Sequence, residues 1–79
     1  MIGTVAGVKL AQHRRLKLLS QQELADASGV AKSTLVNIEM GRVRPQLRIV
    51  KKLSETLGVE PSEVDEFRPS LGLPPAQDG

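Results

Sequence analysis

Ser20-Gln21-Gln22-Glu23-Leu24-Ala25, Gly29-Val30, Ser33-Thr34-Leu35 and Ile38-Glu39-Met40-Gly41 belong to one stretch whose reading decides the fold. Ser20 followed three residues later by Glu23 is a capping box, in which each side chain satisfies a backbone N–H beside the other residue. A helix therefore begins after Ser20 and runs to about Ala27, with Leu24, Ala25 and Ser28 on one side. Gly29 supplies the positive φ that a sharp helix–helix turn needs. A second helix follows from Lys32 to about Met40, and Gly41 ends it. Leu35 and Ile38, three apart, point inward, and Val30 plugs the turn. Lys32, Ser33, Val36, Asn37 and Met40 share the opposite face.

Outward from this stretch the chain reads as five helices, an all-α fold. The first is expected from about Val5 to Lys17 with Thr4 as its cap, because Ala6, Leu10, Ala11 and Arg14 recur at helical spacing. Gly3 and Gly7 weaken its first turn. Helix four is expected over about Leu47–Leu57, with Leu47, Val50, Leu53, Ser54 and Leu57 as its inward stripe and Gly58 at its C-cap. Glu60-Pro61 opens helix five, with proline at the first helical position, and this helix is expected to reach about Phe67. Residues 69–79 hold three prolines and two glycines, which do not continue a helix. The organisation expected is a domain over 1–67 and a mobile tail over 68–79.

Composition bounds what such a chain can do. Seventy-nine residues with one Phe and no Trp or Tyr allow a single small core of Leu, Val, Ile and Ala. Without cysteine there is neither a disulfide framework nor a thiolate metal site. No apolar run approaches the ~20 residues of a membrane span, and the N-terminus lacks the features of a signal peptide. The net charge of +2 conceals an asymmetry. Residues 1–52 hold ten Lys/Arg against three Asp/Glu, and residues 53–79 hold one Arg against six acids. A basic N-terminal two thirds suits a polyanion, although unevenly charged solvated surface is the plainer alternative.

The outward face of the second helix carries the residue types that read base edges. Asn37 can pair bidentately with adenine N6 and N7, Lys32 can reach guanine O6/N7 or a phosphate, and Val36 offers methyls to a thymine methyl. Ser33 serves base or phosphate alike. An amphipathic helix needs a wet face in any case, but the apolar Val36 on that face favours groove contact. Arg42, Arg44 and Arg48 are expected to meet backbone phosphate, with a solvated loop as the plainer alternative, and Arg15, Lys17, Lys51 and Lys52 read as solvated. His13 has no cysteine or carboxylate pair at ligand spacing, so no metal is expected. Ser20 and Ser33 already have cap and groove roles, so no catalytic triad with His13 is expected, and no enzyme or cofactor.

The run from Ser20 to Gly58 resembles the lambda-repressor-like helix-turn-helix family of the Cro and phage-repressor (Xre) type. Pro45, Leu47, Lys52-Leu53 and Leu57-Gly58-Val59 add to the matches quoted above, and with Arg14 the resemblance covers about residues 5–67. It implies a five-helix DNA-binding domain that inserts helix 32–40 into the major groove of a two-fold operator as a homodimer, a transcriptional regulator and repressor. It implies that Gln21 touches DNA phosphate at the start of helix two, as do Arg42 and Arg44 after helix three. Arg14 and Glu39 match an ion pair between helices one and three. Leu18 stands where the family often has glycine, Ala31 and Gln46 where it often has Ser or Thr caps, and His13 at an often apolar position. The expected location is the cytoplasm of a bacterium, or of a phage's host, on the nucleoid. A protein-binding module of the antitoxin kind, engaging a toxin and its own operator, is the alternative, and restriction controller proteins are a related option.

For a dimer, Val64 and Phe67 on one side of helix five are the candidate contacts, since helix three and the basic loop face DNA. Phe67 suits a plug in the monomer core equally well.

Overall fold

A computed structural model describes residues 8–74. Four α-helices, α1 Leu10–Leu16, α2 Gln21–Ser28, α3 Lys32–Glu39 and α4 Leu47–Leu57, are followed by three 3₁₀ turns at Pro61–Glu63, Asp65–Phe67 and Pro69–Leu71. The fold is all-helical, and among the described residues extended pairing is limited to one parallel bridge between Val8 and Val64. α2 packs against both α3 and α4. Leu10, Leu24, Ala25, Val30, Leu35, Ile38, Val50, Leu53, Leu57, Val64 and Phe67 form one buried cluster, with Leu19, Ile49 and Val59 packed on its edge.

α1 starts later than its periodicity suggested. Val8 is extended: its N–H donates to the Glu63 carbonyl (2.8 Å) and its own carbonyl accepts from Asp65 N–H (2.9 Å). Lys9 is the N-cap, and the Leu10 N–H is satisfied by Glu66 Oε1 at 2.8 Å. This carboxylate also sits at the positive end of the helix. A cap supplied from 56 residues away leaves no local signal to be read. Thr4, Val5, Ala6 and Gly7 lie outside the described residues. At its other end α1 closes on Leu18 at φ +60°, the left-handed position where glycine is usual, and the Leu19 N–H returns to the Arg14 carbonyl (3.2 Å).

The α2 capping box is formed, with Ser20 Oγ accepting from Glu23 N–H (3.0 Å) and Glu23 Oε1 from Ser20 N–H (2.8 Å). Gly29 turns the chain at φ +74°. α3 begins at Ala31, whose extended backbone has N-cap geometry but whose methyl offers no acceptor.

Helix five takes a different form from a continuous α-helix. Its region is two 3₁₀ turns hinged at Val64, which is extended (φ −102°, ψ 119°) because it pairs with Val8. The segment read as a tail begins with an organised turn. Arg68 donates to the Ser62 and Pro74 carbonyls, and Ser70 Oγ donates to the Pro45 carbonyl. Residues 75–79 lie outside the described residues.

Leu47 departs from the expected inward stripe. It is 60% exposed, while Val50, Leu53, Ser54 and Leu57 are buried. It occupies the first turn of α4, where Pro45 is already buried at the core's edge.

Candidate nucleic-acid interface

α3 is held by its buried side. Leu35 and Ile38 are fully inaccessible, so their opposite face is committed to solvent. Lys32 and Ser33 are exposed there, and Val36 and Asn37 are half-buried. The four residues assigned from sequence to base contact thus share one outward surface. Met40, at the C-cap, is 60% exposed on that face. Gly41 at φ +74° then stops the helix, and Arg42 N–H donates to the Asn37 carbonyl (2.9 Å), folding the basic loop back beside it.

That loop is exposed at Arg42, Val43 and Arg44 and anchored at the buried Pro45, where Ser70 Oγ ties down the carbonyl. Arg48, in the first turn of α4, is exposed and donates from Nε to Gln46 Oε1 (3.1 Å). The three arginines carry no acid partner among the described residues, which leaves their charge free for a polyanion.

Arg14 and Glu39 fix α3 against α1. Arg14 Nε lies 2.8 Å from Glu39 Oε2, a second guanidinium nitrogen lies 3.3 Å from Oε1, and Arg14 Nη1 donates to the Leu19 carbonyl at 2.9 Å. Gln21 joins this network, donating from Nε2 to Glu39 Oε1 at 3.0 Å. The residue opening α2 is therefore oriented by a residue of α3. Sequence spacing could not reveal this link, because the two are 18 positions apart on different helices.

Val64 and Phe67 are corrected as dimer contacts. Both are fully buried within the single chain. Val64 is bridged to Val8, and Phe67, the chain's one Phe, with no Trp or Tyr, is the largest fully buried side chain of the core. An apolar groove of about 550 Å³ runs along α4 and the first 3₁₀ turn, lined by Leu47, Val50, Val59, Pro61 and Leu71. Lys51, Glu55, Glu60 and Glu63 stand around it, and no residue of α3 lines it.

His13 Nε2 lies 3.1 Å from the Glu63 carbonyl oxygen, a structural contact between α1 and the first 3₁₀ turn. Asp65, 2.8 Å from Lys9, raises the Lys9 ammonium above its ordinary pKa by hydrogen bond and charge. Among the described residues no group of three His, Cys, Asp or Glu side chains could hold a metal, and no helix is long and apolar enough to cross a membrane.

Comparison with known proteins agrees with the all-helical fold. The helix-turn-helix family model matches residues 10–64. An uncharacterised HTH-type transcriptional regulator of Methanocaldococcus jannaschii is 34% identical over 56 residues, covering 71% of this chain and 85% of its own. A second, from Methanothermobacter thermautotrophicus, is 35% identical over 51 residues, covering 65% and 74%. The crystal structure of the restriction-modification controller protein C.AhdI from Aeromonas hydrophila matches with a TM-score of 0.65 and 37% identity, over 68% of this chain and 82% of that one. These relatives do not favour the antitoxin reading. The chain belongs to the helix-turn-helix family and is a DNA-binding transcriptional regulator.

Proposed function

We propose that this regulator binds a specific duplex by laying α3 in the major groove, with Lys32, Ser33, Val36 and Asn37 toward base edges and Gln21, Arg42, Arg44 and Arg48 toward phosphates. The observation that carries the proposal is the outward surface formed by α3 and residues 42–44, which presents the polar Lys32, Ser33 and Asn37 around Val36 and arginines without acid partners among the described residues. Phosphate contacts position the domain and base contacts specify the site. Occupancy of a promoter is enough for repression, which is the regulatory outcome proposed. The protein acts in the cytoplasm on chromosomal DNA and needs no cofactor or catalytic step.

Two copies are proposed to bind a two-fold operator. Recognition helices must then lie about one DNA turn apart, ~34 Å. The domain measures 37 × 24 × 19 Å, so adjoining copies can meet that spacing. The α4 groove is the surface that fits a second copy: Leu47 and Leu71 meet across the axis, with Lys51 facing the partner's acidic rim. It lies off the α3 face, so pairing leaves the reading surface free.

The test is titration of a duplex selected from a random library. Expected are preference over random DNA and an affinity that falls steeply with salt, since each neutralised phosphate adds about 0.9 to the slope of log K against log salt. Asn37→Ala is expected to relax one base position at a cost of about 1–3 kcal/mol. Arg44→Ala should weaken all sequences alike and lower the slope by about one. Salt-independent binding, or no sequence preference, refutes the proposal.

A further inference from the structure

The outward face of α3 is apolar at its C-terminal end. At ~100° per residue, the direction opposite the buried pair Leu35 and Ile38 falls between Ser33 and Met40, with Val36 and Asn37 flanking on either side. Met40 is 60% exposed at the middle of the face, and Val36, one turn earlier, is half-buried with part of its surface open. Side chains at this spacing are neighbours, ~5–6 Å apart, so they form a short apolar track. An exposed thioether that fills no core gap gains nothing from the fold of a monomer. The track is bracketed by Lys32 at one end and by Arg42 and Arg44 at the other, all exposed. This charge fits a polyanion and disfavours the apolar face of another protein.

A duplex major groove offers one apolar group at its base edges, the methyl at pyrimidine C5. Thymine carries it, and 5-methylcytosine carries the same methyl at the same ring position. We infer that Val36 and Met40 together read C5-methyl groups. Where the operator places a cytosine opposite this track, occupancy then responds to cytosine-5 methylation. The inference rests on the placing of α3 in the major groove. A track of ~6 Å spans no more than about two base-pair steps of ~3.4 Å, so the sensitivity is confined to one or two adjacent pairs. The three rotatable bonds of Met40 let its sulfur follow a methyl on either pair.

The experiment uses the full chain and a duplex selected from a random library. Each thymidine is replaced singly by deoxyuridine, which removes only the methyl. At the sensitive position a cytosine duplex is compared with its 5-methylcytosine counterpart. Uracil is expected to weaken binding about fourfold at one or two neighbouring positions, the factor for ~0.8 kcal/mol per buried carbon group. 5-Methylcytosine is expected to bind about fourfold tighter than cytosine there. In Met40→Gln, which keeps length, and Val36→Ser, which removes both methyls, both differences should shrink below about twofold, while the base preference of Asn37 persists. Tolerance of uracil at every position by a protein that still selects its operator overturns the inference and leaves the groove reading standing. Methyl sensitivity undiminished in both variants also overturns it, since the methyl then acts through the DNA itself. Absence of any preference over random DNA removes both.

Discussion

Arg14 Nε and Glu39 Oε2 are 2.8 Å apart, with their side chains only 10% and 7% exposed. The pair joins α1 to the end of α3, and Gln21 Nε2 brings the start of α2 to the same carboxylate. Taking two charges out of water is costly, so the intact pair adds little net stability, whereas loss of one partner strands the other. Glu39→Met, like Arg14→Met, is expected to destabilise the fold by about 3–5 kcal/mol, a large share of the ~5–15 kcal/mol typical of a domain. The double variant Arg14→Met/Glu39→Met should recover much of that loss. Urea unfolding of the two single variants and the double variant closes the cycle. Additive losses would mean that the two side chains stabilise the fold independently.

Leu18 is strained for no gain in packing. Its φ is +60° and the residue is 90% exposed. A left-handed conformation costs an L-residue about 1–2 kcal/mol, and glycine gives back about 0.4–1 kcal/mol in unfolded-chain entropy. Leu18→Gly is therefore expected to stabilise the domain by about 0.5–1 kcal/mol. That is a rise of roughly 2–8 °C in melting temperature for a chain of this size. A lower midpoint would show that Leu18 makes a contact the isolated fold does not contain.

Ala31 has the extended backbone of an N-cap and no side-chain acceptor for the free N–H groups of α3. Ala31→Ser should supply one and raise stability by about 0.5–2 kcal/mol. Thermal melts at equal concentration check this, and an unchanged midpoint means that solvent already satisfies those groups fully.

The elements legible in the sequence were those built from local signals. Ser20 with Glu23, Gly29 and Gly58 act within four residues of themselves, and each stands where its pattern indicated. The inward pair Leu35 and Ile38 follows from one helical period and brings Lys32, Ser33, Val36 and Asn37 to one face. What escaped reading is non-local. The carboxylate of Glu66 caps α1, Val64 pairs with Val8, and Gln21 meets Glu39. No periodicity encodes such pairings. Phe67 was ambiguous for another reason: an aromatic residue near the end of a small domain suits a core or an interface by composition alone, and only packing decides.

Packing also moves the proposed dimer surface from Phe67 to Leu47. Phe67 is fully buried and Leu47 is 60% exposed beside the α4 groove, so their variants should separate stability from association. Phe67→Ala is expected to cost about 3–5 kcal/mol through the cavity left behind, whatever the oligomeric state. Leu47→Glu removes little buried surface from the monomer, since Leu47 is mostly exposed, and should leave its stability within about 0.5 kcal/mol. It adds a charge to a face that already carries Glu55, Glu60 and Glu63 against the single Lys51 and removes the apolar contact, both of which disfavour pairing with a second copy. Sedimentation with and without a two-fold operator reads association directly. The wild type should bind as two copies and Leu47→Glu as one, with each half-site then filling independently. A wild type that occupies a single half-site on a two-fold duplex, or a Leu47→Glu variant that still pairs on it, would remove α4 from the interface.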